Sequence, residues 1–321
     1  MSTSTMVSLL EVFATGVALA EPAAEIIKST RESGELETVN KASDGGFDPA
    51  TAADAAVQAL VEGSVGARWP DLVVIGEEDV VPVAADAAVM VDNAREMLTE
   101  MLRTGGEDVA AWYRVLDTQV ALDRVKVVVD PLDGTLAYTQ GKLHAVLFLF
   151  GLVVDGEPLA AVIKQPWPET SGVSGLTLAV VGAGVMGLPP PPPTLFPHPL
   201  PDAALRVVVS ATDREFHNKL AASVAAAGAH VTRAPGCGYK MLLVACGAVD
   251  AYYHPKDSSS IWDTAAPQAV LHALGGVVTA ALTGAALDYS GADLGNHDGV
   301  TAIGPGPNAP AVAALLDTIT L

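Results

Sequence analysis

Cysteine is scarce in this chain: Cys237 and Cys246 are the only two among 321 residues. Their number and spacing suit neither a disulfide framework nor a zinc site, so they read as reduced, mostly buried thiols in a reducing compartment. Basic residues are also few, with 17 Lys and Arg against 37 Asp and Glu, a formal net charge of −20. Such a surface repels phosphate backbones, which argues against nucleic-acid polymers and anionic membranes as partners. A small anionic substrate is compatible with that charge where something local reverses the field, as bound divalent cations do. No apolar run is long enough to span a membrane. Aromatics amount to 5% of a chain that is half hydrophobic, enough to bury a full core as one large domain or two packed lobes.

The start of the chain, "MVSLLEVFATGVALAEP", has the look of a secretory h-region, yet Glu11 interrupts it and no Lys or Arg precedes it. The first basic residue is Lys28, so a transit peptide is not expected either. Leu9, Leu10, Phe13, Val17 and Leu19 recur at helical spacing and predict an amphipathic first helix. Cytosol is the default expectation, with an organelle left open.

Further along, a loop rich in Gly, Asp and Pro ("KASDGGFDP") leads into an Ala-rich helix starting near Thr51. "DLVVIGEED" predicts a short buried strand from Leu72 to Ile75, ended by Gly76 and three acids. Residues 84–103 predict a helix, and "RVKVVVD" the next strand. "AVLFLFGLVVDGEPLAAVIKQP" reads as a hairpin turning at Asp155-Gly156, and "GLTLAVVGAGVMG" as a further strand pair. "LPPPPPTLFPHPLP" can form neither helix nor central strand. It reads as a polyproline II connection on the surface, a composition that proline-reading domains also bind. After it, strands alternate with helices to the end of the chain: "ALRVVVS", "NKLAASVAAAG" with Gly228 as C-cap, "GYKMLLVACG", "AVDAYYHP", "WDTAAPQAVLHALGG", "GVVTAAL", "GVTAIG" and "APAVAALLDTI". The pattern predicts layered α/β structure in two lobes, an α+β lobe over residues 1–200 and an α/β lobe over 201–321.

Three places share one grammar, carboxylates where an apolar element ends or begins. They are Glu77-Glu78-Asp79 after "VVIG", Asp130 and Asp133 after "VVV", and Asp263 at the start of an apolar helix. Acids gathered at one sheet edge would supply hard oxygen ligands without His or Cys, which suits magnesium or manganese rather than zinc. Solvated surface acids, and for Asp263 a plain N-cap, are the bland alternatives. In "DPLDGT", Pro131 and Gly134 force a turn, so Asp130 and Asp133 need not face opposite ways as in a regular strand. Thr135 then stands where a helix can begin, with free amides able to hold phosphate. The spacing of three excludes a calcium loop and the D-x-D of the haloacid dehalogenase class, and there is no P-loop.

Taken together, "IGEED", "DPLDGT" and "WDTAAP" resemble the signature of the lithium-sensitive, magnesium-dependent phosphatases. That superfamily includes inositol monophosphatase, inositol polyphosphate 1-phosphatase, fructose 1,6-bisphosphatase and the 3'(2'),5'-bisphosphate nucleotidases. The fuller stretches "IGEEDVVP", "VDPLDGTLAYTQG", "HNKL" and "WDTAAPQAVLHALGG" look closest to the nucleotidases. "APGCGYK" departs from that branch at Pro235 and Cys237, and its Gly-Tyr-Lys is more similar to the inositol polyphosphate enzymes.

The resemblance implies a five-layer αβαβα sandwich of the inositol monophosphatase-like type. It implies two or three Mg2+ ions on Glu77, Asp130, Asp133, Asp263 and the Leu132 carbonyl, with Mn2+ as a substitute and Li+ as an inhibitor. Asp54, in "PATAAD", would pair with Thr135 to activate water, and the Gly134 and Thr135 amides would cradle phosphate. His217, Gly236 and Lys240 would contact a nucleotide and its second phosphate. The activity implied is removal of the 3'-phosphate of adenosine 3',5'-bisphosphate, and of its sulfated analogue, by a monomer. Inositol polyphosphate 1-phosphatase is the alternative within the same chemistry. An inactive metal-binding scaffold is a distant third, set back by the presence of all of Glu77, Asp130, Asp133, Asp263, Asp54 and Thr135.

Overall fold

The computed structural model describes residues 5–34, 36–41, 49–82, 88–104, 107–168, 174–192, 195–196, 200–201, 203–212 and 214–320. The Gly/Asp-rich loop at 42–48, the first residues of the helix expected from 84, and parts of the Pro-rich segment lie outside them.

In chain order, β1 (Met6–Ser8) leads into α1 (Leu9–Ser33), capped at its start by the Ser8 hydroxyl and ended by Gly34 with φ 74°. β2 (Val39–Asn40) and β3 (Pro49–Ala50) precede α2 (Ala52–Arg68), and β4 (Val73–Gly76) follows. Next come α3 (Ala88–Thr104), α4 (Glu107–Leu116), β5 (Gln119–Ala121), β6 (Val125–Asp133) and the single-turn α5 (Thr135–Thr139). The hairpin β7 (Leu147–Val154) to β8 (Glu157–Lys164) turns at Asp155 and Gly156, both at positive φ, as a two-residue primed turn requires. β9 (Leu176–Val180) and β10 (Gly184–Met186) form the second antiparallel pair. The rest of the chain is β11 (Arg206–Ser210), α6 (Glu215–Ala226), β12 (His230–Ala234), α7 (Cys237–Ala245), β13 (Ala251–His254), α8 (Ile261–Leu274), β14 (Val277–Ala280), β15 (Val300–Ile303) and α9 (Ala309–Leu316).

Among the described residues two large sheets form, in the orders β10-β9-β8-β7-β6-β4 and β12-β11-β13-β15-β14. Side chains alternate across a strand, and β6 shows where each face goes. Val127 and Val129 pack with Phe13, Ile27, Val57 and Leu98 from α1, α2 and α3, while Val128 packs with Met241, Ala265 and Val270 from α7 and α8. Across the second sheet, Val207, Val209 and Tyr253 bury α6 and α9 through Leu220, Val224, Val312 and Leu316. The layers therefore run helices, sheet, helices α7 and α8, sheet, helices: the five-layer αβαβα sandwich. Helix α8 approaches β7 so closely at Gly151 that a Cβ there would stand 3.0 Å from the Cβ of Ala265.

One expectation needs correcting. The strand after Leu72 is β4, Val73–Gly76, and it is not buried: among the described residues it pairs with β6 alone, at the edge of its sheet, and Val73 is 48% exposed.

Candidate active site

A bulge brings the two aspartates of "DPLDGT" together. Between β6 and β7 the register steps from Asp130 opposite Leu149 to Asp133 opposite Leu147, three residues against two. In a regular strand, residues three apart face opposite sides; the extra residue at Pro131-Leu132 restores them to one side. The Asp130 Oδ1 also accepts the Leu132 N–H at 2.9 Å, which fixes the turn. Asp133 is gripped by a part of the chain more than 100 positions away, where the Cys237 N–H donates to Oδ1 at 3.0 Å and the Tyr239 N–H to Oδ2 at 3.1 Å. These are first-turn amides of α7, a natural seat for a carboxylate. Gly236, at φ 66°, lies so near that a Cβ would stand 2.8 Å from Asp133 Oδ2.

Asp263 completes the group: ligand atoms of Asp130, Asp133 and Asp263 lie within 4.8 Å of one another. It is not the N-cap of α8. Ser260 holds that place, and Asp263 is the third helical residue of a capping box, its Oδ2 accepting the Ser260 N–H at 2.6 Å. Burial pushes Asp130 and Asp263 well above the ordinary carboxylate range, and the neighbouring carboxylates push the same way. Burial raises Asp133 too, offset by the Lys240 charge and the helix amides. Three carboxylates converging in a buried spot repel unless a cation joins them. The oxygen-only donor set fits a hard divalent ion.

Glu77 lies just past the end of β4, and its charge bears on Asp130. Burial pushes its carboxyl up to about 7, against the opposing pull of Lys41. Lys41 Nζ donates to Glu77 Oε1 at 2.9 Å and also to Glu78 Oε1. Lys41 was invisible as a site residue in the sequence, where it is one cation before a loop without periodicity.

Asp54 is fully buried and sits third in α2, with Thr51 as N-cap. Its Oδ2 accepts the Thr51 N–H at 2.8 Å and the Thr51 hydroxyl at 2.5 Å. Its Oδ1 accepts the Thr135 hydroxyl at 3.1 Å, a contact across 81 positions of sequence. The Thr135 hydroxyl also lies 3.1 Å from the Leu132 carbonyl oxygen. Burial raises the Asp54 carboxyl despite the Thr51 hydrogen bonds. Gly134, at φ 86°, caps the single turn of α5.

Of the substrate-side candidates, Gly236 and Lys240 lie beside the acids. Lys240 Nζ donates to the Gly236 carbonyl at 2.5 Å and stands 5.0 Å from the centroid of the Tyr252 ring. His217 stands in the first turn of α6, its Nδ1 3.1 Å from the Thr212 carbonyl, and the Lys240 charge bears on it.

Residues 8–320 match the inositol monophosphatase family. The chain belongs to that family. Its relatives include the 3'(2'),5'-bisphosphate nucleotidase 1 of Rattus norvegicus, 32% identical over 84% of this chain and 83% of that protein. The protein of the same name from Dictyostelium discoideum is 29% identical over 86% of each. Among solved structures, the extragenic suppressor protein suhB of Bartonella henselae superposes with a TM-score of 0.64 at 18% identity, covering 95% of this chain and 97% of that one. An IMPase/NADP phosphatase complexed with Mg2+ and phosphate superposes with a TM-score of 0.61 at 16% identity, covering 92% and 90%. Inositol monophosphatase family enzymes are metal-dependent phosphatases, in keeping with the donor set of Asp130, Asp133 and Asp263. Among the described residues no helix is long and apolar enough to cross a membrane.

Proposed function

We propose that this chain is a phosphomonoesterase that removes the 3'-phosphate of adenosine 3',5'-bisphosphate to give AMP and phosphate, and acts likewise on the sulfated analogue. The observation that carries this reading is the Thr135–Asp54 hydrogen bond beside the Asp130, Asp133 and Asp263 carboxylates. The nucleotidase relatives supply the substrate class.

Two or three magnesium ions, held by Glu77, Asp130, Asp133, Asp263 and the Leu132 carbonyl, would supply an acidified water and neutralise phosphoryl oxygens. Manganese would substitute for them and lithium would inhibit. The protein's own part is proton handling and placement. Asp54 Oδ1 accepts the Thr135 hydroxyl hydrogen bond, which leaves the Thr135 oxygen lone pairs facing the incoming water; as the water gives its proton to Thr135, the Thr135 hydroxyl proton passes to Asp54. Asp54 is the final proton acceptor, its carboxyl raised by burial and so better suited to that task near neutral pH. The Gly134 and Thr135 amides receive the equatorial phosphoryl oxygens. His217, Gly236 and Lys240 form the substrate side. In this reading the two lobes meet at residue 200, the acid-bearing elements before it and Asp263 after it, and the enzyme acts as a cytosolic monomer.

The test is phosphate release from adenosine 3',5'-bisphosphate and inositol 1,4-bisphosphate side by side, with magnesium, with EDTA, and with added lithium. Magnesium-dependent, lithium-sensitive preference for the nucleotide supports the reading. Preference for the inositol keeps the chemistry and moves the substrate, in line with the Gly238-Tyr239-Lys240 stretch. Release from neither overturns it.

A further inference from the structure

We infer that His254 belongs to the second-phosphate subsite, its ring supporting His217 and Lys240 and its Nδ1 held for the bound anion; this rests on the bisphosphate reading above. Topology places the subsite. β11 pairs in parallel with β12 on one side and β13 on the other. The chain leaves β11 through α6 to reach β12, then crosses back through α7 to β13, and these helices lie on opposite faces of the sheet. Strand order therefore reverses between β11 and β13. Open α/β sheets take ligands at the carboxyl ends of strands where such a reversal opens a crevice.

His254 is the last residue of β13 and so stands at that point. From β11, the chain passes Thr212, whose carbonyl fixes the His217 ring. The His254 ring centroid lies 5.4 Å from that of His217, 5.8 Å from Phe216 and 6.4 Å from Tyr252, on which it stacks. Tyr252 in turn carries Lys240. His217 on α6 and Lys240 on α7 thus share one support, the Tyr252–His254 face of β13.

The surroundings favour an anion. In a chain of net charge −20, the charged and titratable groups among the described residues that bear on His254 are Lys240, His217 and Lys256, while Asp133 and Asp263 bear on Lys240 and Tyr252 behind it. Lys256 Nζ stands 5.3 Å from the Phe216 ring centroid, and Arg214 caps α6 beside His217. His254 itself is 3% exposed. Its Nε2 meets Ser258 Oγ at 2.5 Å, while its buried Nδ1 has no hydrogen-bond partner among the described residues. A buried polar atom left unpaired is costly. Here the cost fits an atom kept for a hydrogen bond made when the subsite fills.

The experiment compares wild type, H254L, H254N and H254Q on adenosine 3',5'-bisphosphate and on adenosine 3'-monophosphate, which lacks the second phosphate. H254L is expected to raise KM for the bisphosphate about tenfold, with kcat and the monophosphate KM unchanged. H254N keeps a polar atom near the Nδ1 position and is expected to restore most of the affinity. H254Q keeps one near Nε2 instead and is expected to restore little, and it carries the prediction if H254L does not fold. AMP affinity by calorimetry is expected to fall in parallel with the KM effect. Equal losses on both substrates, a fall in kcat alone, or no change in any variant overturns the inference while leaving the phosphatase reading in place. No turnover of the bisphosphate by wild type overturns both.

Discussion

Asp54 and Asp263 hold the same position in two different helices. Each is the third residue, each closes a capping box with its N-cap residue, Thr51 or Ser260, and each does so through Oδ2. In both, that leaves the other carboxylate oxygen for the site: Asp54 Oδ1 for the Thr135 hydroxyl, and Asp263 within the acid group. In the proposed mechanism one residue both starts a helix and furnishes the chemistry, so substitutions must be chosen to separate the two roles.

Asp54→Asn separates them. The carboxamide oxygen can still accept from the Thr51 N–H, so the melting temperature is expected to stay close to wild type. The proton acceptor is lost, and kcat is expected to fall by about two to four orders of magnitude. Asp54→Ala also removes the third-residue half of the capping box, leaving the Thr51 N–H and hydroxyl without their acceptor, and is expected to cost about 1–3 kcal/mol of stability besides. Thermal melts beside initial rates check both; an active Asn variant would remove Asp54 from the chemistry.

Thr135→Val deletes only the hydroxyl that joins Asp54 to the Leu132 carbonyl. The same loss of kcat is expected, with KM nearly unchanged. Because the pair acts as a unit, the Asp54→Asn, Thr135→Val double variant is expected to be no slower than the worse single one. Additive losses would show two independent roles.

Metal removal should expose the strain of the acid group. Without a cation, Glu77 is pushed up to about 7 by burial, and Asp130 and Asp263 are also held above their ordinary range. An acid whose folded value is raised holds its proton more tightly in the folded chain. That stability is complete below the ordinary Glu value of 4.5 and is lost as pH rises through about 7. In EDTA the melting temperature is therefore expected to decline from pH 4.5 to about 7, and saturating magnesium to remove the decline. A flat profile in EDTA would show that these carboxyls are relieved by some other means.

The acid motifs were readable because charges that end an apolar run are conspicuous, and Pro131 with Gly134 announced a break in the strand. The five-layer αβαβα order came from the resemblance; the alternation of strands and helices after residue 200 suggested only layered α and β structure. Other parts of the site had no signal of their own. Asp133 is held by the backbone amides of Cys237 and Tyr239, donors that every residue but proline carries. His254 reads as one more residue of the strand "AYYH", and only the strand order shows that this strand ends at a reversal. Val73 looked buried because β4 is apolar in sequence, yet exposure at a sheet edge depends on how many neighbours a strand finds.

Lys41 bridges Glu77 and Glu78 and so competes for a proposed metal carboxylate. Lys41→Met is expected to lower the magnesium concentration at half-maximal rate about threefold, a modest effect suited to a partly exposed pair. A higher requirement would mean that Lys41 assists the loaded site rather than opposing it.

Gly236→Ala would place a Cβ 2.8 Å from Asp133 Oδ2 at φ 66°. Strain there is expected to cost about 1–3 kcal/mol of stability, and the displaced Asp133 to weaken magnesium binding measured by calorimetry. Gly247→Ala is the control: φ is 74°, but nothing lies within 4 Å of its added Cβ. It is expected to lose stability and keep magnesium affinity.

Helix α8 lies between the two sheets and presents Asp263 beside Asp130 and Asp133, carboxylates some 130 positions earlier in the chain. A ribosome making this chain releases Asp54, Asp130 and Asp133 well before Asp263. The nascent polypeptide therefore carries two members of the acid trio without the third, and the trio is complete only once Asp263 has been made.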